Sequence, residues 1–187
     1  MSRSPDRPAS FEPPRVEDFL HPIEFLFAEH DRQRVLCATL ERIANDPLAP
    51  DAAENAALVL GYCEEHLQAH IADEETDLFP LLRRRCEPDD AIGTILGLLD
   101  EEHVADAEIF RRLVTPLRTV ANGEVPADSG AFAGDARAFS ILQRRHLSWE
   151  NGTLLPLARR RLSKDDLAEL GRRLATRRGR RAAPGWS

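Results

Sequence analysis

Four histidines and two glutamates in this chain have side chains and spacing suited to holding metal ions: His30, His70, Glu74, His103, His146 and Glu150. They belong to a motif that occurs twice, 76 positions apart. The first copy reads His70-Ile71-Ala72-Asp73-Glu74, runs on through Leu78-Phe79-Pro80-Leu81 and ends in Arg83-Arg84-Arg85. The second reads His146-Leu147-Ser148-Trp149-Glu150, then Leu154-Leu155-Pro156-Leu157, then Arg159-Arg160-Arg161. Each copy has an upstream Glu-His pair: Glu29-His30 lies 40 positions before His70, and Glu102-His103 lies 43 before His146. Self-similarity of such long period marks duplicated helical hairpins.

On an α-helix, residues four apart stack on one face one turn apart. His70 with Glu74, and His146 with Glu150, therefore reach one point from one helix surface. Neutral imidazole and carboxylate together suit first-row cations such as iron, manganese or zinc. A single His-x-x-x-Glu is usually a surface pair, but surface pairs do not repeat in register with a Leu-x-Pro-Leu flank. Other metal patterns fit poorly. The Glu-x-x-His signature of ferritin-like helices is absent, with only Asp100 standing in that relation to His103. His66-Leu67-Gln68-Ala69-His70 has zincin histidine spacing without the adjacent glutamate. The three cysteines, Cys37, Cys63 and Cys86, are too scattered for a zinc finger.

The elements needed to position these groups are helices throughout. A first helix is expected from His21-Pro22, with proline in its first turn, to about Ala44, stopped by Asn45-Asp46-Pro47. A second runs from Pro50-Asp51 to about Arg85, bent where Pro80 has no amide for the carbonyl of Thr76. A third spans about Pro88 to Val120, with Pro116 as a second bend, and ends at Asn122-Gly123. The fourth runs from about Ala127 to Leu162, bent at Pro156. A short fifth helix follows, capped by Ser163, with Asp165 and Asp166 in its first turn. No run alternates polar and apolar residues as a strand would. The fold class is all-α: an up-down-up-down four-helix bundle with a short C-terminal fifth helix. Phe27, Phe79, Phe139 and Leu142 lie on apolar stripes and are read as core. Residues 1–16, rich in Pro, Ser and Arg, are expected to be disordered, residues 17–162 to form the metal-binding domain, and 163–187 a short helix and basic tail.

With 42% hydrophobic and 30% charged residues among 187, the chain can bury a core without staples, and no apolar run approaches eighteen residues. The N-terminus lacks the apolar stretch of a secretory signal. An odd set of scattered cysteines argues for reduced thiols and a cytoplasmic location. They are read as small buried hydrophobes, although Cys37 shares a helical face with His30. The formal charge is −7, yet residues 159–181 carry ten Lys/Arg against three acids. The plain reading of that basic tail is a solvated helix end. With only Trp186 as an aromatic neighbour, nucleic acid is not an expected partner, and neither is a membrane.

The order His30, His70-x-x-x-Glu74, His103, His146-x-x-x-Glu150, with its Leu-Phe-Pro flank, resembles the hemerythrin-like HHE cation-binding domain over residues 20–162. The resemblance implies a four-helix bundle holding two iron ions with an oxo or hydroxo bridge. His30 and His70 would serve one ion, His103 and His146 the other, and Glu74 and Glu150 both. Zinc, manganese or nickel can replace iron in purified material. Oxygen-carrying hemerythrins bring two histidines, four apart, from the third helix; here the positions four away from His103 are Leu99 and Ala107. About five ligands per iron then leave each metal an open position, which favours oxygen, nitric oxide or peroxide chemistry over simple carriage. Tyr62 and His66, two turns and one turn before His70, are candidates to complete the set or to support it from behind. His21 is read as a helix cap. The acidic neighbours Glu29, Glu64, Glu65, Asp73, Glu75, Glu101 and Glu102 are read as mainly solvated, with a few orienting ligand histidines.

Three functions follow as expectations. One is a di-iron protein that binds or senses oxygen, nitric oxide or peroxide, or handles iron. The second is a redox enzyme turning over peroxide or oxygen at the same site, with no separate catalytic residue assigned. The third is a metal-poor helical interaction module, which the complete ligand set argues against.

Overall fold

The computed structural model describes residues 15–179, and every regular element among them is helical. Helix α1 is Pro22–Asn45; it opens with proline at its first position, where the missing amide costs nothing. Helix α2 covers residues 52–85, α3 is Ile92–Ala121, α4 covers residues 129–161, and α5 is Lys164–Arg177. A 3-10 turn, Val16–Leu20, precedes α1 and begins inside the segment expected to lack structure; residues 1–14 of that segment lie outside the described residues. Phe19 on this turn is fully buried.

The prolines are accommodated differently from the expected bends. In α2 a wide π-type turn, Glu74–Leu78, comes first, and α-helical bonding restarts at Phe79 with Pro80 in the new first turn. The fourth helix repeats the device: π-turn Glu150–Leu154, then Leu155–Arg161 with Pro156 in its first turn. Restarting the helix removes the demand for a proline N–H, and such turns recur at functional sites. A third π-turn spans Tyr62–Leu67. Pro116 lies inside α3, which stays helical on both sides of it. At the end of α3, Gly123 takes φ 80° and the Glu124 amide donates to the carbonyl of Thr119, closing the last turn.

Neighbouring helices run in opposite directions. Along α1, Glu24, His30 and the Cys37 carbonyl meet Arg159, Asn151 and Ser140 of α4 in descending order. Along α3, Glu102, Asp106 and Arg112 meet Arg145, Gln143 and Asp135 of α4. Arg83 of α2 meets Asp100 of α3, and Glu64 meets Arg118. The apolar interior divides into two clusters. One holds Leu36, Leu40, Val59, Cys63, Leu113, Leu117 and Phe139. The other, at the opposite end, holds Leu26, Leu78, Phe79, Leu82, Leu96, Leu99 and Leu154. Phe79 and Phe139 are fully buried as expected, while Phe27 and Leu142 are only half-buried.

The arginines near the C-terminus are not simply solvated. Ser163 and Asp166 cap α5 reciprocally, and Arg85 donates twice to Asp166, at 2.8 and 3.0 Å. From the far end of α5, Arg177 and Arg178 both pair with Asp73, and Arg173 and Arg177 with Asp77. Arg178 also lies over the rings of Phe25 and Phe19, 4.8 and 5.8 Å from their centroids. Asp73 is buried at 0% exposure and Glu29, which Arg32 pairs, at 1%; both depart from the solvated role read from sequence because an arginine reaches each. Arg180, Arg181 and Trp186 of the basic tail lie outside the described residues.

This clamp is testable. Arg178→Ala is expected to lower stability by roughly 3 kcal/mol, the low end for stripping one partner from a buried ion pair, because Arg177 still serves Asp73. Chemical denaturation measures it, and an unchanged midpoint would show the pair to be superficial.

Candidate metal centre

All six residues singled out from the duplicated motif meet between the two apolar clusters. His30, His70, Glu74 and Glu150 each place one donor atom within 4.8 Å of the others; so do Glu74, His103, His146 and Glu150. Both glutamates belong to both groups. Glu74 turns Oε1 toward His30 and His70, at 3.7 and 3.3 Å from their Nε2 atoms, and Oε2 toward His103 at 3.5 Å. Glu150 turns Oε2 toward His30 at 3.4 Å and Oε1 toward His146 at 3.3 Å. The Nε2 atoms of His103 and His146 approach to 3.1 Å.

Burial tells what this set is for. Glu74 and Glu150 have no exposed surface, and none of their four carboxylate oxygens has a hydrogen-bond partner among the described residues. The Nε2 atoms of His30 and His70 have none either. Unpaired buried donors and acceptors are rare and costly, and buried charge demands a counter-charge. Convergent, desolvated imidazole nitrogens and carboxylate oxygens suit a first-row metal ion. The residues present fit a cation.

The far side of each imidazole is held as well. His30 Nδ1 lies 2.6 Å from Asn151 Oδ1, His103 Nδ1 2.8 Å from Glu75 and His146 Nδ1 3.0 Å from Glu102, which Arg145 also grips. Such contacts fix the ring so that Nε2 faces inward. The role expected of a few acidic neighbours thus falls to Glu75 and Glu102, whereas Asn151 gave no sign beyond its place after Glu150. His70 Nδ1 has no partner among the described residues.

Charge follows this geometry. Burial opposes charging His30, His103 and His146, but the carboxylates outweigh it and raise all three, His146 to about 10. Burial dominates at His70, which is held well below its usual range and neutral. Burial raises the carboxyl of Glu74, but His103 and His30 more than offset it and keep the group ionised. Without metal, protons on the imidazoles neutralise the carboxylates; a cation must displace them.

Tyr62 and His66 stand apart. His66 is half-buried and belongs to neither donor group, and Tyr62 is buried beside it, ring centroids 5.4 Å apart. His21 occupies the N-cap position of α1 but makes no capping bond through its side chain. Cys37 and Cys63 are fully buried, and burial pushes the Cys37 thiol up to about 11, so it is protonated and unreactive. On α3, Leu99 belongs to the apolar core and Ala107 faces solvent, whereas Asp106, one residue earlier, points inward. Asp106, Gln33 and Gln143 are buried polar residues one turn from His103, His30 and His146, and were not foreseen. Reading the ligand stripes three residues after His30 and His103 and three before His146 would have found them.

The model of the hemerythrin HHE cation binding domain matches residues 21–158. No curated protein matches the chain. No helix among the described residues is long and apolar enough to cross a membrane.

Two outcomes follow. The elevated imidazole of His146 stabilises the metal-free fold fully below pH 6.5, and that contribution disappears as pH climbs through about 10. His30 and His103, raised in the same way, add to this effect, and the Cys37 and Cys63 thiols, kept protonated by burial, lower stability further above pH 9 whether or not metal is bound. Metal-free protein should therefore melt at lower temperature at pH 10 than at pH 6.5, a difference that metal loading narrows; equal melting temperatures would contradict it. Glu74→Ala and Glu150→Ala should each remove bound metal by elemental analysis. Glu75→Ala should weaken affinity only by about 10- to 100-fold, through loss of the bond orienting His103. The reverse ranking would show the wrong glutamate at the centre.

Proposed function

This chain belongs to the hemerythrin HHE cation-binding domain family, and we propose that its cation is a pair of iron ions joined by an oxo or hydroxo bridge. In this reading α1 to α4 form an up-down-up-down bundle with α5 as a fifth helix, and residues 17–162 are the metal-binding unit. His30 and His70 hold one ion, His103 and His146 the other. Glu74 and Glu150 serve both. The observation that carries the reading is the division of each carboxylate, one oxygen toward one histidine pair and the other toward the opposite pair. A single ion would leave half of these buried oxygens unpaired.

Iron there supplies one-electron redox chemistry and binding of oxygen, nitric oxide or peroxide. The protein's part is to hold the ligands rigidly, to keep His70 neutral, and to exclude water with the apolar side chains of Leu26, Leu78, Phe79 and Leu99. Phe79 lies parallel to the His103 ring at 6.3 Å and fixes its tilt from the apolar side. Six protein ligands shared by two ions leave coordination positions for a small molecule, because Leu99 and Ala107 supply no further imidazole. A cytoplasmic protein that binds, senses or reacts with oxygen, nitric oxide or peroxide, or handles iron, fits this chemistry best. Zinc, manganese or nickel is compatible with the same donors in purified material.

Anaerobic reconstitution with ferrous iron, followed by elemental analysis, should give two irons per chain. One or fewer overturns the pairing. Stopped-flow mixing of the ferrous protein with oxygen should then convert it rapidly to the ferric state, while uptake reversed under vacuum would establish carriage instead.

A further inference from the structure

The two faces of the donor layer differ. Because neighbouring helices are antiparallel, residues C-terminal to His30 and His103 and residues N-terminal to His146 lie on the same side of it. On that side stand Gln33, Asp106 and Gln143, each three residues from a histidine and each at most 2% exposed. On the other side Leu26, Leu99 and Leu154 are wholly apolar.

Gln143 Nε2 donates to Asp106 Oδ2, but the remaining polar atoms of this shelf are not satisfied. Gln33 Nε2, Asp106 Oδ1 and Gln143 Oε1 are buried without a hydrogen-bond partner among the described residues. Asp106 faces the interior, since its charge acts on His146, His103, Cys37 and Cys63, residues of all four helices. A fold keeps such groups only where something else completes them.

We propose that Gln33, Asp106 and Gln143 form a hydrogen-bonding shelf that anchors hydrogen peroxide at the metal pair and selects it over oxygen and nitric oxide. The proposal rests on the di-iron reading above and names the ligand within it. The shelf offers one N–H donor and two oxygen acceptors. Hydrogen peroxide has two O–H donors and oxygens that accept, so its hydrogen-bonding groups match this set of one donor and two acceptors. Oxygen and nitric oxide carry no proton and would leave both acceptors bare. A site built to hydrogen-bond a ligand rejects an analogue lacking those groups far more strongly than an apolar pocket rejects a misfit.

The test compares wild type with Gln33→Leu and Asp106→Asn, both chosen to preserve volume. Each iron-reconstituted protein is assayed for iron content, for the hydrogen peroxide concentration giving half the optical change of the ferric form, and for nitric oxide binding by the ferrous form. Both variants should keep two irons, need at least about tenfold more peroxide, and change in nitric oxide affinity by less than about threefold. The metal-free Gln33→Leu protein should melt no lower than wild type, because it sheds an unpaired buried amide. Unaltered peroxide response with two irons retained overturns the shelf alone and leaves it a resident-water site. Equal weakening toward both probes, or a destabilised Gln33→Leu, makes these residues structural and overturns it too. A wild-type protein that holds fewer than two irons overturns the di-iron reading beneath it.

Discussion

Two carboxylates with no access to water, and no hydrogen-bond partner among the described residues, are the constraint around which this molecule is arranged. Removing an ion from water costs several kcal/mol even after the protein relaxes. Glu74 and Glu150 are tolerable only if positive charge is delivered to the same depth. Four helices bring one histidine each to that depth, three able to carry the charge as protons and all four suited to bind a cation that would carry it. The apolar clusters at either end have a matching role. They keep the layer dry, so that each electrostatic contact within it is strong.

Much of this was legible in the linear chain because it depends on periodicity. The four-residue interval from His70 to Glu74, and its echo from His146 to Glu150, specify which stripe faces inward before any packing is known. Helix limits were equally readable from Pro22, Asn122-Gly123 and Ser163, each a residue with one preferred backbone task. What escaped notice depended on contacts between distant segments. Asp73 looked solvated because Arg177 and Arg178 lie more than a hundred residues further on, and Asn151 is recognisable only when His30 is seen against it. The shelf residues were passed over for a different reason. Attention to positions four away from His103 fell on Ala107, which faces solvent, while the inward position is the one before it.

The wide turns at Glu74–Leu78 and Glu150–Leu154 connect the motif to its flank. A π-turn takes up an extra residue, so the chain beyond it is rotated relative to an unbroken helix. His70 and His146 before the turns, with Glu74 and Glu150 at their first positions, thereby serve the donor layer, while Phe79, Leu82 and Leu155 after them serve the second apolar cluster. The prolines fall where the restarted helix needs no donor. Arginines that follow close the ends: Arg85 on Asp166, Arg161 on Asp90 and Glu87, Arg159 on Glu24. Planar guanidinium forks suit this task better than lysine, and the chain uses a single lysine in all.

Duplication suggests equal halves, yet His70 breaks the equivalence. Its three counterparts each have a residue behind the ring, whereas Nδ1 of His70 has none among the described residues and its imidazole stays neutral. In the proposed two-ion reading, the ion shared by His30 and His70 is the one that has a ligand ring with no hydrogen-bond partner behind it among the described residues. Loading of such a pair would be sequential, with the position beside His70 filled last and emptied first. An asymmetric centre of that kind would exchange one metal while retaining the other, which a symmetric one would not.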